Sequence, residues 1–545
     1  MDADYDAIII GAGHNGLVAA VVLASSGWKV LVVEANDSPG GALLSGEVTL
    51  PGYVHDLFAT NLNLFLGSRF FTEYSGQLAE RGFTYRTSSF PYANAFPDRR
   101  WLGVSTNLED TLERLRRHHP DDAKGWCELY ELFQRVSKAL FTLYGSPIPS
   151  LDLLRSFALA ARSLGKQGML ELFQLLSSSP RELVDTYLVT EEAKVLIASW
   201  GLHLDFGPDV SGGAVFPFLE AFSDMQVGMS VAEGGASRLV SALCSLITDK
   251  GGEILLGAEA RRVIVKDGRA AGIELVDGRI LLADKAVIAN VAPTALVGGL
   301  VDPEELPGQL LGELRRYRYG PATMMIHLAL SDPVPWAGGD ELGKFAYVHL
   351  APYLDDLART YADALAGRLP REPLLVVGQT SAVDPSRAPG DAQVLWIQVR
   401  ALPSKIRSDP EGQLDGYEWD NAAEAFADRV LKKLESHAPG ITDIVQDREV
   451  LSPSDLERYN RNLVGGDSIT GSMHLRQNFV FRPSPRLSRY KTPIDNLFIV
   501  GAGTWPGAGL NAASGYLAAH SLVMREKLIG TSKHLSKYLS FARRG

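Results

Sequence analysis

The segment AIIIGAGHNGLVAAVVLASSGWKVLVVE, residues 7–34, decides the fold. Two short, continuous apolar runs, residues 7–10 and 30–33, flank a stretch that is long enough for a helix and ends at Gly27. Continuous apolar strands around a buried helix are typical of a parallel strand–helix–strand unit whose sheet is covered on both faces. The segment therefore predicts an α/β fold that is built on a parallel sheet.

Three glycines, Gly11, Gly13 and Gly16, give this unit the spacing G-x-G-x-x-G between its first strand and its helix. The first permits a tight turn, the second lets backbone amides approach a pyrophosphate, and the third lets helix and strand pack closely. The helix N-terminus adds unpaired N–H groups and the positive end of a dipole. Glu34 follows the second strand, where a carboxylate can accept hydrogen bonds from ribose hydroxyls. We therefore predict a dinucleotide site.

Two features further along the chain favour FAD over NAD. Gly40 and Gly41 follow the acidic residue and allow the chain to wrap a longer, bent cofactor. Asp-Gly pairs at residues 267–268 and 277–278 separate three apolar-rich runs between residues 260 and 282, which predicts an antiparallel meander.

A third feature lies near the C-terminus. A buried strand run, residues 497–500, opens onto Gly501-Ala502-Gly503, and a small-residue helix is predicted from about residue 511. This second backbone cradle at a helix start suits the ribityl and isoalloxazine end of FAD. A second G-x-G-x-x-G in strand–helix context, as a separate nicotinamide domain would need, is not evident in the sequence.

Four stretches resemble the phytoene desaturase-like flavoproteins and their relatives that are often named pyridine nucleotide-disulfide oxidoreductase domain proteins. They are GAGHNGL at residues 11–17, PGYVHD at 51–56, GSMHL at 471–475 with the Arg-Pro and Tyr-Lys-Thr-Pro that follow, and GAGTWPGAG at 501–509. The resemblance runs from about residue 5 to residue 522. It implies an α/β fold with a split Rossmann-type FAD-binding domain of the glutathione reductase and amine oxidase type, and an interleaved α+β substrate domain.

The expected domain organisation alternates between these two parts. Residues 1–100, 231–300 and 466–530 are expected to form the FAD-binding domain, the second of these segments with the meander. Residues 101–230 are expected to form a helical part of the substrate domain, residues 301–465 its sheet and further helices, and residues 531–545 a tail.

The resemblance also implies a set of FAD contacts. Ala42 stands where the family often has arginine, which leaves that contact to backbone atoms, and Val263 is expected to meet the adenine through its backbone. The full expected set is Gly11, Ala12, Gly13, Asn15, Gly16, Glu34, Ala35, Gly40, Gly41, Ala42, Val263, Gly501, Gly503, Thr504, Gly509, Leu510 and Ala513.

Candidate catalytic side chains are few: His55, Asp56 and Trp505. The His-Asp pair either caps a loop and contacts cofactor or backbone, or handles a proton near the flavin. Trp505 stands where the family signature usually has histidine, and an indole offers a flat apolar wall but no exchangeable proton near neutral pH. We expect it to shape the substrate pocket, the alternative being a packing residue behind the flavin.

Other polar residues are expected to be structural. His327 and His349 lie in strand-like runs and are expected in the interior or at a rim, and residues 384–387 are expected to form a turn. A leucine-rich helical stretch at residues 151–176 carries Arg155, Arg162 and Lys166. It is either a core-facing helix pair or a lid or membrane-surface helix over an apolar pocket.

Composition excludes several function classes. The 545 residues are 46% apolar and 21% charged, as in an ordinary globular protein, and the net charge of −11 gives no global reason to bind nucleic acid. Two cysteines without a C-x-x-C pair offer no zinc cluster, and we predict no metal site. No signal peptide or spanning helix is expected, and the protein is expected to be cytoplasmic. A basic tail, residues 525–544, allows a peripheral membrane contact.

The sequence thus predicts an FAD-dependent oxidoreductase that dehydrogenates a small, apolar molecule by hydride transfer to flavin, with oxygen or a quinone as acceptor. A flavin-dependent isomerase without net redox and a flavin-binding interaction protein remain alternatives. The oligomeric state is left open.

Overall fold

The computed structural model describes residues 3–412, 414 and 416–542, without the side chains of residues 152, 156 and 529–542. The strands are β1 (Tyr5–Ile10), β2 (Val30–Val33), β3 (Ser45–Gly46), β4 (His55–Asp56), β5 (Tyr85–Ser88), β6 (Tyr92–Ala95), β7 (Trp101–Val104), β8 (Met229–Ala232), β9 (Glu253–Leu255), β10 (Ala260–Lys266), β11 (Arg269–Leu275), β12 (Ile280–Ala289), β13 (Ala322–Leu330), β14 (Tyr347–Leu350), β15 (Leu374–Gly378), β16 (Gln393–Leu402), β17 (Val445–Leu451) and β18 (Leu497–Ile499).

Helices connect these strands and pack against the sheets that the strands form. They are α1 (His14–Ser25), α2 (Asn63–Leu66), α3 (Arg69–Ala79), α4 (Leu108–His118), α5 (Pro120–Tyr144), α6 (Leu151–Ser177), α7 (Pro180–Tyr187), α8 (Glu191–Ala198), α9 (Val215–Val227), α10 (Ser237–Asp249), α11 (Pro293–Ala295), α12 (Gly308–Arg315), α13 (Leu354–Ala366), α14 (Thr380–Val383), α15 (Trp419–His437), α16 (Ile441–Ile444), α17 (Pro453–Tyr459) and α18 (Ala513–Ala542).

The first sheet confirms the predicted parallel unit. Strands β18, β12, β1, β2 and β9 lie side by side and parallel, with Ile8 paired to Leu31 on one side and to Val287 on the other. The predicted meander is β10–β11–β12, and the long strand β12 belongs both to it and to the parallel sheet. The meander is thus joined to the parallel sheet through β12, which lies between β1 and β18.

Helix α1 is buried almost all round, because α10 and α18 pack against it while it lies on the first sheet. The contact with α18 needs a glycine, since a Cβ at Gly515 would lie 1.9 Å from the carbonyl oxygen of Asn15. The side-chain amide oxygen of Asn15 also accepts a hydrogen bond from the Gly515 N–H at 3.1 Å. The starts of α1 and α18 are therefore held side by side.

The second sheet has the order β17–β13–β16–β15–β14–β6–β7 and is antiparallel except for the β14–β6 pair. Helix α15 packs on one face, and the helical region of α5 to α9 lies on the other. Strand β6, Tyr92–Ala95, falls inside the range expected for the first FAD-binding segment. It pairs in the second sheet, and the expected domain boundaries stay a prediction.

Helix α6 combines features of both interpretations of the leucine-rich stretch. Leu172 and Leu175 are buried in the core, but Leu154, Leu159 and Phe173 are each at least 66% exposed, and the helix is interrupted at Gly165. Within the described part of the chain, no helix combines the length and the apolar character needed to cross a bilayer.

The expected tail is continuous with α18, which extends to Ala542. Arg543 and Arg544 lie outside the described residues, and so do the side chains of Lys533 and Lys537.

Candidate active site

The turn from β1 into α1 leaves bare backbone at the start of the helix. Gly11 has a φ of +94°, and a Cβ at Gly16 would lie 2.2 Å from the carbonyl oxygen of Gly11, so that both positions require glycine. Gly13 is the N-cap of α1, and its first turn has neither a side-chain cap nor an acidic residue. No side chain of the first turn therefore covers the N–H groups and the positive dipole end of α1, as an anion site requires.

Two asparagines that the sequence analysis missed hold this turn. The amide of Asn290, just after β12, donates to the carbonyl oxygen of Gly11 at 3.1 Å. Asn462 accepts from the N–H of Ala292 at 2.6 Å and so fixes the segment that carries Asn290. The second glycine turn packs on the same residue, since a Cβ at Gly501 would lie 2.8 Å from Asn290 Oδ1. Both glycine turns thus meet around one side chain.

Glu34 lies at the end of β2 and reaches the first glycine turn. Its Oε2 accepts from the N–H of Ala12 at 2.7 Å, and its Oε1 accepts from the N–H of Asn36 at 3.0 Å. Gly40 forms a parallel bridge with Gly13, so the glycine pair does return to the turn. Ala35, by contrast, is exposed to solvent.

A cavity separates these turns from the second sheet. Of the residues expected to bind FAD, Gly13, Asn15, Gly41, Ala42, Gly501, Gly509 and Leu510 line it. Gly503 and Thr504 shape the second turn from behind, since the Thr504 hydroxyl bonds the carbonyl oxygen of Gly501 at 2.8 Å. Val263 is buried in β10 on the meander, away from the cavity wall. The roles of these residues toward the cofactor stay a prediction.

A second, larger space adjoins this cavity. It has a volume of about 700 Å³ and extends between α2, α3, the end of α5, α9 and the start of α18, where Ala513 lines it. The two spaces share the wall residues Leu64, Leu204, Phe216, Glu220 and Ala508. We call the first space the flavin cavity and the second the channel.

Two carboxyl groups stand on α9 beside the junction of these spaces. Glu220 lines both, Asp224 lines the channel, and their spacing of four places them on one face of the helix. Burial raises the pKa of Glu220 to about 7, and burial together with the nearby Glu220 raises the pKa of Asp224. The amide of Asn63 donates to Asp224 Oδ1 at 2.7 Å, whereas Oδ2 has no partner. A buried carboxyl with such a pKa can exchange a proton near neutral pH.

The structure places His55 and Asp56 away from both spaces. Each is 1% exposed, and Asp56 forms an ion pair with Arg387 at 3.1 Å. Burial alone would raise the pKa of Asp56, but Arg387 and hydrogen bonds from Ala236 and Ser45 lower it. Burial lowers the pKa of His55 to about 3. This placement corrects the proton-handling alternative, because neither group reaches the cavity wall.

Arg387 is itself a residue that the sequence analysis placed in an ordinary turn. It is fully buried and also pairs with Asp384 at 2.9 Å, while Nη2 donates to the carbonyl oxygen of Ala232 at 2.7 Å. Asp384 in turn accepts from the N–H of Gly234 at 2.7 Å. This triad is a buried cross-link between the segment before α10 and the second sheet.

Trp505 also lies outside the cavity wall. Its indole is fully buried between Tyr144 and Phe479, with ring centroids 5.3 and 5.4 Å away, and its N–H donates to the carbonyl oxygen of Ser146 at 2.8 Å. Tyr144, not Trp505, lines the channel. The expected pocket wall is therefore wrong in this respect, and the side chain packs one layer behind it.

The histidines of the second sheet are interior residues, as expected. His327 is fully buried at 5.3 Å from the His55 ring, and His349 lies near Trp200.

The residues at the cavity fit a flavin dinucleotide. Bare glycine backbone at Gly13, Gly41, Gly501 and Gly509 faces the cavity, and the uncapped start of α1 suits the pyrophosphate. A Cβ at Gly41 would lie 3.1 Å from the Cα of Gly13, so a side chain would crowd this cradle. Glu34 stands beside the turn for a ribose.

Comparison with known proteins agrees with this geometry. The family described as flavin containing amine oxidoreductase matches residues 16–362. The chain is similar to pyridine nucleotide-disulfide oxidoreductase domain-containing protein 2 of Rattus norvegicus, with 26% identity over 96% of this chain and 94% of that protein. It is 25% identical to one of the subunits of limonene dehydrogenase from Castellaniella defragrans, over 95% and 94% of the two chains. It is also 25% identical to phytoene desaturase (neurosporene-forming) of Cereibacter sphaeroides, over 94% and 93%.

Solved structures share the fold. Cyclohexylamine oxidase from Brevibacterium oxydans has a TM-score of 0.59 at 17% identity, with 96% of this chain and 100% of that chain covered. An oxidoreductase from Methanosarcina mazei has a TM-score of 0.59 at 18% identity, with 95% and 99% covered. Because the family pattern spans well over half of the chain, this protein belongs to the flavin-containing amine oxidoreductase family and is an FAD-dependent oxidoreductase.

Proposed function

We propose that this enzyme dehydrogenates an apolar small molecule, forming a carbon–carbon double bond. The observation that carries the proposal is the channel that adjoins the flavin cavity and shares with it the wall residues Leu64, Leu204, Phe216, Glu220 and Ala508. A volume of about 700 Å³ lies within the usual range for small-molecule sites. The names of the limonene and phytoene relatives, both of hydrocarbons, support the same substrate class.

The channel walls are mainly apolar, which favours a hydrocarbon body over a polar one. Phe70, Phe141, Phe206, Phe216 and Leu219 contribute side chains to it. Binding of an apolar substrate in the channel is stabilised by about 25 cal/mol for each Å² of apolar surface that it removes from water. Tyr144 forms part of the wall, and Trp505 behind it keeps that ring in place.

Removal of a hydride and a proton from neighbouring carbons requires a proton acceptor. Bound FAD supplies the two-electron oxidation. Glu220 is our proposed acceptor, because it lines both spaces and its pKa of about 7 leaves a substantial fraction ionised at neutral pH. The amide of Asn61, 3.4 Å from Oε1, orients the carboxyl group.

The channel opens beside an apolar surface that suits delivery of such a substrate. Phe141 at the end of α5 and Val227 at the end of α9 line the channel and are also exposed. Helix α6, packed on α5, presents Leu154 and Phe157 to solvent close along the chain to Arg155. We propose that this face rests on a membrane surface, with apolar side chains at the acyl boundary and basic ones at the headgroups.

The reduced enzyme requires an acceptor, for which we propose oxygen or a quinone. Rapid mixing of the reduced protein with each acceptor, while the oxidised-flavin absorbance is followed, compares them directly. Reoxidation that is much faster with a short-chain ubiquinone analogue than with oxygen would assign a quinone-linked dehydrogenase.

The test of the proposed function is anaerobic reduction of the bound flavin. Limonene and phytoene in detergent micelles are added to oxygen-free protein, with putrescine as an amine comparison. We expect loss of the oxidised-flavin absorbance with a hydrocarbon, and a product two hydrogen atoms lighter by mass spectrometry. Reduction by the amine but by neither hydrocarbon would contradict the proposal. Turnover only after prior reduction of the flavin would instead indicate an isomerase.

A further inference from the structure

One face of the second sheet forms the wall of the flavin cavity opposite the glycine turns. Thr323 and Met325 of β13 and Trp396, Gln398 and Arg400 of β16 line it, each two residues from the next along its strand. Side chains two apart in a strand share a face, which is why these residues point the same way. Among the described residues that line this cavity, Arg400 is the only lysine or arginine.

The guanidinium of Arg400 is only partly hydrogen-bonded by the protein. Its Nη1 donates to the Ser468 hydroxyl at 2.9 Å and, at 3.5 Å, to the carbonyl oxygen of His203. Its Nε is buried without an acceptor, and no ion pair of Arg400 with a carboxylate occurs in the described part of the chain. Burial lowers the pKa of Arg400 only to about 10, so the guanidinium stays charged.

Asp205 and Asp467 line a small space together with Arg400, but both are engaged elsewhere. Asp467 accepts hydrogen bonds at 2.8 Å from the backbone N–H groups of Gly320, Ile469 and Gly471. Asp205 accepts from the Tyr361 hydroxyl at 2.8 Å. These bonds explain why neither acid moves onto the guanidinium, although Asp467 is close enough to favour its charged form.

Two further polar atoms beside Arg400 have no partner. They are His203 Nε2 and Gln398 Oε1, and both side chains line the cavity. Burial, assisted by the charge of Arg400, lowers the pKa of His203 well below its usual value, so this ring is neutral. Among the described residues of this wall, which Glu220 also lines, Arg400 is therefore the single cationic side chain. An unpaired buried charge destabilises the folded protein unless a ligand of opposite charge pairs with it.

We propose that Arg400 binds a carboxylate on the substrate, which makes the substrate an apolar monocarboxylate. This inference rests on the proposed function and refines it: the channel encloses the apolar body, Arg400 holds the polar end, and hydrocarbons without a carboxylate reduce the flavin through the apolar contacts alone. A carboxylate matches one guanidinium in charge and planarity. A phosphate monoester, with nearly two negative charges, would remain undercompensated beside one cation and a neutral imidazole.

The test uses binding, not turnover, on the FAD-loaded protein. Decanoate, decanol and decyl phosphate are titrated while the flavin absorbance spectrum is followed, with calorimetry as a second readout. The variants are Arg400→Gln, Arg400→Lys and the control Arg359→Gln, whose side chain on α13 is 70% exposed. We expect Arg400→Gln to weaken decanoate binding about tenfold or more, Arg400→Lys to restore part of it, and decanol binding to stay unchanged.

Several results would overturn the assignment. They are equal binding of decanoate and decanol to the unaltered protein, equal weakening of both by Arg400→Gln, tighter binding of decyl phosphate than of decanoate, and no binding of any probe. Loss of FAD from Arg400→Gln would assign the residue to the cofactor instead. Because this binding test needs no turnover, failure of decanoate binding leaves the result of flavin reduction by hydrocarbons unaffected. Failure of flavin reduction by hydrocarbons likewise leaves the binding result unaffected.

Discussion

Glu220→Gln tests the central chemical claim, because it removes a titrating proton and keeps the shape of the side chain. If ionised Glu220 accepts the substrate proton, flavin reduction should accelerate as the pH rises through about 7. At pH 6 about one-tenth of the carboxyl groups would be ionised, so the rate should fall roughly tenfold between pH 8 and pH 6. The variant should be slower by about a hundredfold or more and should lack this pH dependence.

The same substitution has a stability consequence whose sign follows from linkage. The folded-state pKa of Glu220 is raised from 4.5 to about 7, so the folded protein holds this proton more tightly than the unfolded chain. The resulting loss of stability is absent below the pKa of the unfolded chain, grows as the pH rises between the two pKa values, and is complete above about pH 7. At 1.36 kcal/mol per unit, it amounts to about 3 kcal/mol. Glu220→Gln should therefore raise the melting temperature at pH 8 and leave it nearly unchanged at pH 4.5.

The assays are stopped-flow flavin reduction under nitrogen and thermal unfolding, both as a function of pH. Glu80→Gln is the matched control, since that side chain is 76% exposed at the end of α3. If Glu220→Gln keeps the rate and pH profile of the control, Glu220 is not the proton acceptor. If Glu220→Gln does not raise the melting temperature at pH 8, burial does not raise the pKa of this carboxyl group.

Three further predictions concern the cofactor site and the core. Gly13→Val should fold but lose FAD, because Gly13 has an ordinary φ of −70° and the added side chain would crowd the cavity wall, where its Cβ would lie 3.2 Å from Asn290 Nδ2. Gly16→Ala should fail to fold, because its Cβ would lie 2.2 Å from the carbonyl oxygen of Gly11. FAD content and circular dichroism separate the two variants, and an FAD-loaded Gly13→Val would refute the cradle. Trp505→Ala should lower the free energy of unfolding by about 3–5 kcal/mol. Trp505→Phe should lower it by about 1–3 kcal/mol, because the carbonyl oxygen of Ser146 loses its hydrogen-bond donor. Thermal unfolding measures both, and unchanged melting of both variants would contradict the packing role. Arg387→Met should lower the free energy of unfolding by about 3–5 kcal/mol, because Asp56 and Asp384 would be left ionised and buried. The loss should be larger at pH 8 than at pH 5. A melting temperature lowered equally at both pH values would show that the lost charge is not the cause.

Local chemistry accounts for what the sequence alone predicts correctly. The turn at Gly11, Gly13 and Gly16 and the meander through Asp267-Gly268 depend on backbone conformations and apolar runs within a few residues, which a single sequence displays. The parallel sheet, the α/β class and the FAD cofactor follow from these signals together with the resemblance at residues 501–509, and the fold and family comparisons confirm them. The individual FAD contacts stay predictions.

The remainder depends on contacts between distant parts of the chain. Asp56 meets Arg387 only because the second sheet brings a far segment against β4, and charged residues in a turn carry no mark of such a partner. Trp505 lies behind Tyr144 because the end of α5 covers it, which no pattern around the signature reveals. Arg400 faces the cavity because β16 lies beside β13 in one register, and a shift of one residue would turn it to the other face. Sequence periodicity specifies which residues prefer burial, but only the packing of strands and helices decides which buried groups meet.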